Sequence, residues 1–509
     1  MSAGRTKNAT LNILFAIILQ LVTFVRGLIL PRIIIPAYGS DINGLVSSIT
    51  QFLTYISLLE AGVGTIFRSS LYKPLADGDI DKVSGVINEQ KRFYRKIGLV
   101  FVFYVIALCF IYPLIAKTKI STEYIVSFIL ILSISTFAEY FISLPYVSLL
   151  SADQKVRISY IVSIVYTIVN ILVALFWVWL KADIRLIYLS MCVIGLLRPL
   201  FYWLYVKKHY NLSKTAAPDA SALKQRWNGM VHHISYYVHT NTDSAILTIF
   251  VGTAMVSVYN VYGAIIFGME RLITSVSAGT AAGIGNVLVG GDKKTIDRTV
   301  DLFEFVQSAA TTVLFTITAL MIMPFIKLYT SDMTDINYIY PEFAYVLVCA
   351  EAIYCLRCIY STISTNANKF KETQLGAILE CVVNLVLSLI LTLACGMGLL
   401  GIAIGTLSGM FVRYLAEVLF LSKNVINRSV LKAFKSLLVN ACIAAVSILI
   451  CHFALNYNAI NGVAKWVLLA VISSVIVIVV TVLFYLVFYR KEFGAIISRF
   501  IPKKKNAKD

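Results

Sequence analysis

The sequence predicts an all-α polytopic membrane protein of about 14 transmembrane helices: two parallel six-helix lobes followed by two additional helices. Three observations carry this. The 509 residues are 59% hydrophobic and only 14% charged, with a mean hydropathy of +0.83, far from a soluble domain. Apolar runs of spanning length recur along the whole chain. Short motifs return at a nearly constant offset of about 214 positions.

The formal net charge of +18 sits oddly with that apolarity. Disorder requires low hydrophobicity, and a soluble nucleic-acid binder carries its charge on a polar surface. A membrane protein with basic loops satisfies both numbers. The nine cysteines lie in or beside apolar runs, are odd in number and irregularly spaced, and imply no disulfide framework. Cys355 and Cys358 spell CxxC, but inside a span, where helix packing is the plainer role.

Fourteen spans are placed at 10–36, 43–66, 97–116, 124–150, 158–180, 184–206, 229–251, 254–289, 302–326, 341–365, 373–394, 397–421, 434–454 and 464–488. The first is too long for a cleaved signal and lacks an A-x-A end. With the N-terminus in the cytoplasm, cytoplasmic segments hold 32 of the 44 Lys and Arg, external loops seven and spans five. The positive-inside bias therefore places both termini inside. The Asn-x-Ser/Thr triplets at Asn8, Asn211 and Asn427 then fall on the cytoplasmic side, and the Lys503–Lys505 tail reads as a topology signal.

The repeat is seen at Gly78 and Gly291, Ala152 and Ala367, Asn170 and Asn384, and Arg198 and Arg413. It implies a unit of six spans repeated in parallel, with spans 13 and 14 appended. The domains follow: a lobe at 1–210, a linker at 211–228, a lobe at 229–425, and two helices with a basic tail at 426–509. Parallel repeats of this kind predict a substrate site between lobes and alternating access.

Ionisable groups in spans are costly and mark function unless they pair with one another. Span 1 carries Asn12, Gln20, Thr23 and Arg26 on one face. Span 2 carries Asn43, Ser47, Thr50, Thr54 and Ser57, with Glu60 a turn on. Both stripes fit either cavity lining or polar helix packing. Span 7 places His232, Tyr236, His239 and Asp243 on one stripe, and His239 matches Arg26 under the repeat. Adjacent His232 and His233 point apart, so no metal site is completed. Span 8 carries Asn260, Glu270 and Arg271 among many glycines. Glu139, Glu351, Arg357 and Glu380 are also intramembrane. Arg413 and Glu417, four residues apart, read as a structural ion pair, and Gly401, Gly405 and Gly409 as a packing seam. No P-loop, G-x-S-x-G, H-E-x-x-H or paired CxxC motif is present, which argues against a soluble enzyme chemistry.

Several segments resemble a known family. Asn8-x-x-x-Asn12, Asp41-Ile-Asn-Gly-Leu45, Tyr55-Ile-Ser-Leu-Leu-Glu-Ala-Gly-Val-Gly64, Asn241-Thr-Asp-Ser-Ala-Ile-Leu247 and Val258-Tyr-Asn-Val-Tyr262 are similar to Wzx-type polysaccharide-unit flippases, the polysaccharide-transport branch of the MATE-like (MOP) superfamily. The resemblance implies a flippase, not an enzyme, that moves polyprenyl-diphosphate-linked oligosaccharide units to the outer leaflet for capsule, O-antigen or exopolysaccharide synthesis. It places the protein in a bacterial cell membrane beside a glycan polymerase and glycosyltransferases, in contact with membrane lipids and without nucleic acid. It implies no cofactor; a proton or sodium gradient is the open question. Arg26, Arg271 and Arg357 become candidates for the diphosphate, since arginine forks match phosphate oxygens. Gln20, Tyr236, His239, Asp243 and Asn260 become candidates for the glycan path, and Glu60, Glu139 and Asp243 for ion coupling. The alternatives are a lipid II flippase of the same superfamily, a MATE-type cation-coupled exporter and, further off, a membrane glycan polymerase. The absence of a carboxylate in span 1 counts against the exporter, the absence of arginine in span 2 against lipid II, and short external loops against the polymerase.

Overall fold

The computed structural model describes residues 3–60, 63–213, 215–219, 237, 241–290, 292–490 and 492–494. All regular structure among them is helical. The helices are α1 (Ala3–Tyr38), α2 (Ser40–Thr54, tightening into Tyr55–Leu59), α3 (Val63–Asp77), α4 (Ile80–Ile115), α5 (Thr122–Ala138), α6 (Leu144–Ala152), α7 (Arg157–Trp179), α8 (Ile184–Gly195), α9 (Leu197–His209), α10 (Thr253–Gly290), α11 (Lys293–Tyr329), α12 (Pro341–Asn366), α13 (Phe370–Leu389), α14 (Leu399–Asn424), α15 (Leu431–Ala454) and α16 (Val463–Phe488). Twelve helical stretches among the described residues are long and apolar enough to cross a membrane. The chain is a multi-pass membrane protein. The first half of span 7 of the sequence reading lies mostly outside the described residues, and span 8 is the 38-residue α10.

Three departures from the sequence reading have simple causes. α4 and α11 start well before their apolar stretches, because their first turns are polar helix that hydropathy does not register. Span 6 breaks at Leu196, where Pro199 cannot donate to Gly195, four residues earlier, and crowds its carbonyl. The predicted span 2 ends at Leu59, and Arg68 belongs to α3.

The repeat is written into the turns. Left-handed backbone occurs at Gly39 and Gly252, at Gln154 and Asn368, and at Lys181 and Gly396, each pair one repeat length apart. Behind Gln154 the backbone closes Lys155 N–H onto Leu150 O (2.8 Å) and Gln154 N–H onto Ser151 O (3.2 Å). Behind Asn368, Lys369 reaches Ser364 O (2.9 Å) and Asn368 reaches Thr365 O (3.1 Å). This is the same helix C-cap twice. α4 and α11 are N-capped alike: Asp79 accepts from Lys82 N–H (3.0 Å) and Asp292 from Thr295 N–H (3.2 Å). The Lys82 ammonium beside Asp79 and the Thr295 hydroxyl beside Asp292, together with those N–H groups, hold both carboxyls below their ordinary range.

By packing, the chain forms two compact units: Met1–Ala264 with Asp332–Ile336, and Ile265–Ser331 with Asn337–Asp509. The lobe limits read from the sequence follow the repeat; the packing boundary falls inside α10. Within the first unit, the start of α10 is sewn onto α2. Gly44 lies so close to Thr253 that a Cβ would stand 1.8 Å from its carbonyl oxygen. Asn43 donates to Ser257 Oγ (2.8 Å), Thr253 donates to Asp41, and Ser48 meets Thr248 (2.5 Å). In the same unit Asp335 accepts from the N–H and hydroxyl of Ser40 (2.6 and 2.9 Å).

Within the second unit, α14 packs on α13 through the predicted glycine seam. A Cβ on Gly405 would meet Ser388 Oγ at 2.1 Å, and one on Gly409 the Glu380 carbonyl at 2.8 Å. Arg428 ties the appended helices down, donating to Asp301 (2.8 Å), Glu304 (2.5 Å) and the Tyr360 hydroxyl (3.0 Å). Tyr485 donates to Asn440 (2.9 Å). The seam makes a direct prediction. Gly405→Ala forces a buried overlap and lowers stability by about 1–3 kcal/mol, whereas Gly462→Ala, at an extended position with open space, is neutral. Thermal unfolding of the two detergent-purified variants measures the difference.

Candidate functional site

Intramembrane polar groups are considered unit by unit. In the first unit, the α1 stripe divides. Asn12 is spent on structure: its amide donates to Gln154 O (2.9 Å) and its oxygen accepts from Arg157 N–H (3.0 Å), holding the α6–α7 turn. Gln20 is half-buried. Arg26 is half-buried too, and its Nε is enclosed without a hydrogen-bond partner among the described residues. The α2 stripe also divides. Asn43 packs against Ser257, and Thr50 turns back onto Val46 O (2.7 Å). Thr54 is exposed and accepts from the Tyr237 hydroxyl (2.9 Å).

Around Thr54 lies a set of aromatic hydroxyls that periodicity did not single out. Tyr55 donates to Asn241 O (3.0 Å), and its ring stands edge-on to Tyr237 at 5.7 Å. Tyr104 donates to Phe52 O (2.7 Å). Tyrosine rings with polar tips are the surface that sugar rings and hydroxyls can use. The sequence contained a weak signal for it: Tyr55 opens one of the family-like segments, and Tyr237 is the neighbour of Tyr236 on the span-7 stripe. Tyr236, His232 and His239 lie outside the described residues. Asp243 is buried and accepts from the Tyr259 hydroxyl (2.9 Å). Asn260, one residue on, is half-buried.

Two further acids of this unit occupy different settings. Glu60 accepts a 2.6 Å hydrogen bond from Tyr94. Glu139 opens the widened turn Glu139–Ser143 between α5 and α6, a distortion often found at working sites. Arg198 Nη2 approaches Glu139 at 3.8 Å, while its guanidinium lies 4.7 Å over the Tyr166 ring and its Nε has no hydrogen-bond partner among the described residues.

In the second unit, Arg357 is committed to a buried network with Glu380, Arg413 and Glu417, which are 6%, 2%, 8% and 2% exposed. Arg357 reaches Glu417 at 3.3 Å and Glu380 at 3.9 Å. Arg413 reaches Glu380 at 2.9 Å and Glu417 at 2.7 Å. Ser361 bridges, accepting from Arg357 (3.2 Å) and donating to Glu417 (2.9 Å). The Arg413–Glu417 pair is present as read from the sequence. Arg357 joins it from a different helix, so two cations and two anions cancel in one place. Arg271 of α10 is exposed and its neighbour Glu270 half-buried.

No family model matches the chain, and no curated protein matches it in sequence. Solved structures do. A lipid II flippase, MurJ, in an inward closed conformation superposes with a TM-score of 0.72 at 15% identity, covering 95% of this chain and 100% of that one. An inward-facing multidrug resistance MATE family transporter of the MOP superfamily gives 0.64 at 14% identity, over 80% and 95% of the two chains. A eukaryotic MATE transporter gives 0.56 at 14%, over 84% and 98%. The fold is MATE-like.

Within that MATE-like fold, the four-residue network makes the sharpest prediction for a side-chain change. Glu380→Gln leaves a buried guanidinium under-compensated and costs about 3–5 kcal/mol. Adding Arg413→Gln restores electroneutrality and recovers part of the loss. Unfolding midpoints of the single and double variants in the same detergent test this; additive losses would contradict it.

Proposed function

We propose that the protein is a bacterial cell-membrane flippase that carries polyprenyl-diphosphate-linked saccharide from the cytoplasmic to the outer leaflet by alternating access. The observation that supports it best is coverage. The similarity to a lipid II flippase extends over 95% of this chain, whereas the two MATE transporters compared are matched over 80% and 84%. The family-like segments at 41–45, 55–64, 241–247 and 258–262 favour oligosaccharide repeat units as the cargo, and the absence of arginine from α2 points the same way. Glycosyltransferases and a polymerase of the same pathway are the expected partners, and both termini are cytoplasmic.

Among the arginines, Arg26 and Arg271 remain to meet the diphosphate. Each offers a permanently charged fork, and neither is held in an ion pair among the described residues. Arg357 is spent on Glu380 and Glu417. Tyr55, Tyr237 and Thr54 join Gln20, Asn260 and Asp243 as the surface for sugar hydroxyls. Glu60, Glu139 and Asp243 are the acids through which a proton or sodium gradient would act.

The test is outer-leaflet appearance of a fluorescent lipid-linked oligosaccharide in proteoliposomes, at matched protein amounts. Arg26→Ala and Arg271→Ala each lower the initial rate about tenfold, the loss of one charge-assisted phosphate contact. Unchanged rates in both variants would remove the diphosphate role. Presenting lipid II beside a repeat-unit substrate decides between the two cargoes: faster movement of lipid II overturns the repeat-unit reading.

A further inference from the structure

The repeat supplies an internal comparison at the first turns of α4 and α11, whose matching N-caps Asp79 and Asp292 fix the register. In the first unit, the face of α4 that carries Ser84, Gly85 and Asn88 is covered by the chain's own linker. Ser213 N–H donates to Ser84 Oγ (2.9 Å), Asn88 donates to the carbonyls of Ser213 and Ala216 (3.1 Å each), and Asp219 N–H donates to Gly85 O (3.3 Å). Gly85 makes room for it: a Cβ there would stand 2.8 Å from Ala217 O.

The matching face of α11 is built differently. Position 298, which corresponds to Gly85, is an arginine, and position 294 is a lysine. The chain after α14 turns at once into α15, with Arg428 and Lys432 held by Asp301, the counterpart of Asn88. What remains is an open groove of about 540 Å³ lined by Val287, Lys294, Thr295, Arg298, Thr299, Leu302 and Phe303. Lys294 and Arg298 are one helical turn apart, both exposed, and neither is in an ion pair among the described residues. The lining contains no carboxylate. At its apolar end, Leu302 and Phe303 replace Glu89 and Gln90 of the first repeat. A bulky guanidinium stands where the linker needed a glycine, so the groove does not suit an extended peptide. Two cations and two threonine hydroxyls beside an apolar wall, on the Lys/Arg-rich side of the membrane, suit a phosphate joined to a hydrocarbon chain.

We infer that this groove binds an anionic phospholipid of the cytoplasmic leaflet, its phosphate on Lys294 and Arg298 and its acyl chain along Val287, Leu302 and Phe303. The site stands independently of the cargo proposed above, and its readout is binding rather than translocation. The full-length protein in detergent is titrated with phosphatidylglycerol, phosphatidylcholine or polyprenyl diphosphate, and bound lipid is counted by native mass spectrometry. Phosphatidylglycerol binds about thirtyfold more tightly than phosphatidylcholine, as two surface cations of roughly 1 kcal/mol each require. Lys294→Gln with Arg298→Gln abolishes the preference, each single exchange reduces it, and Lys294→Arg with Arg298→Lys keeps it. A preference that survives both single exchanges and the double exchange overturns the inference. So does polyprenyl diphosphate displacing phosphatidylglycerol at equal concentration, which assigns the groove to the cargo instead.

Discussion

A charge inside hydrocarbon has to be neutralised where it stands, and that requirement orders the interior of this protein. Moving a lone guanidinium or carboxylate out of water costs more than any single packing contact returns, so each must find a partner or face water. Arg357, Glu380, Arg413 and Glu417 satisfy the rule completely, drawing α12, α13 and α14 to one point with charges that sum to zero. The close approach of α13 and α14 is possible because Gly401, Gly405 and Gly409 leave no side chain between them. Small residues set the distance and the ion network uses it.

The large features were legible because they are governed by local rules. Apolar length gives spans, and glycine or an amide side chain marks a left-handed turn. The constant offset seen in single letters reappears as backbone geometry at Gly39 and Gly252, Gln154 and Asn368, and Lys181 and Gly396. Gln154 and Asn368 are not glycines, yet both end a helix with the same pair of carbonyl closures.

The site was legible only where partners lie on one helix. Arg413 and Glu417 are a turn apart, so spacing alone found them. Arg357 reads as a free fork from its own helix, because its carboxylates come from α13 and α14. Periodicity reports which face a side chain occupies, not which other helix meets that face. The same gap hid Tyr55 and Tyr237, whose hydroxyls are placed by Asn241 and Thr54 from distant segments. Hydropathy failed in the opposite direction at the polar first turns of α4 and α11, where helix begins before apolarity does.

Arg198 and Arg413 occupy equivalent places in the two repeats, and their surroundings have diverged. Arg413 is fixed by two carboxylates at 2.7 and 2.9 Å and is almost fully enclosed. Arg198 has one carboxylate at 3.8 Å, a tyrosine face and an enclosed Nε without a hydrogen bond among the described residues. Its partner Glu139 sits on a helical turn already widened by one residue and is nearly half exposed. A doubly held arginine resists any competing charge. A single long pair beside a distorted turn exchanges partners at small cost, since so stretched a contact in a partly open setting contributes little. The two repeats thus hold their equivalent arginines differently. In the second unit the charges of Arg357, Glu380, Arg413 and Glu417 fix helix positions, whereas Arg198 and Glu139 of the first are joined by one long contact.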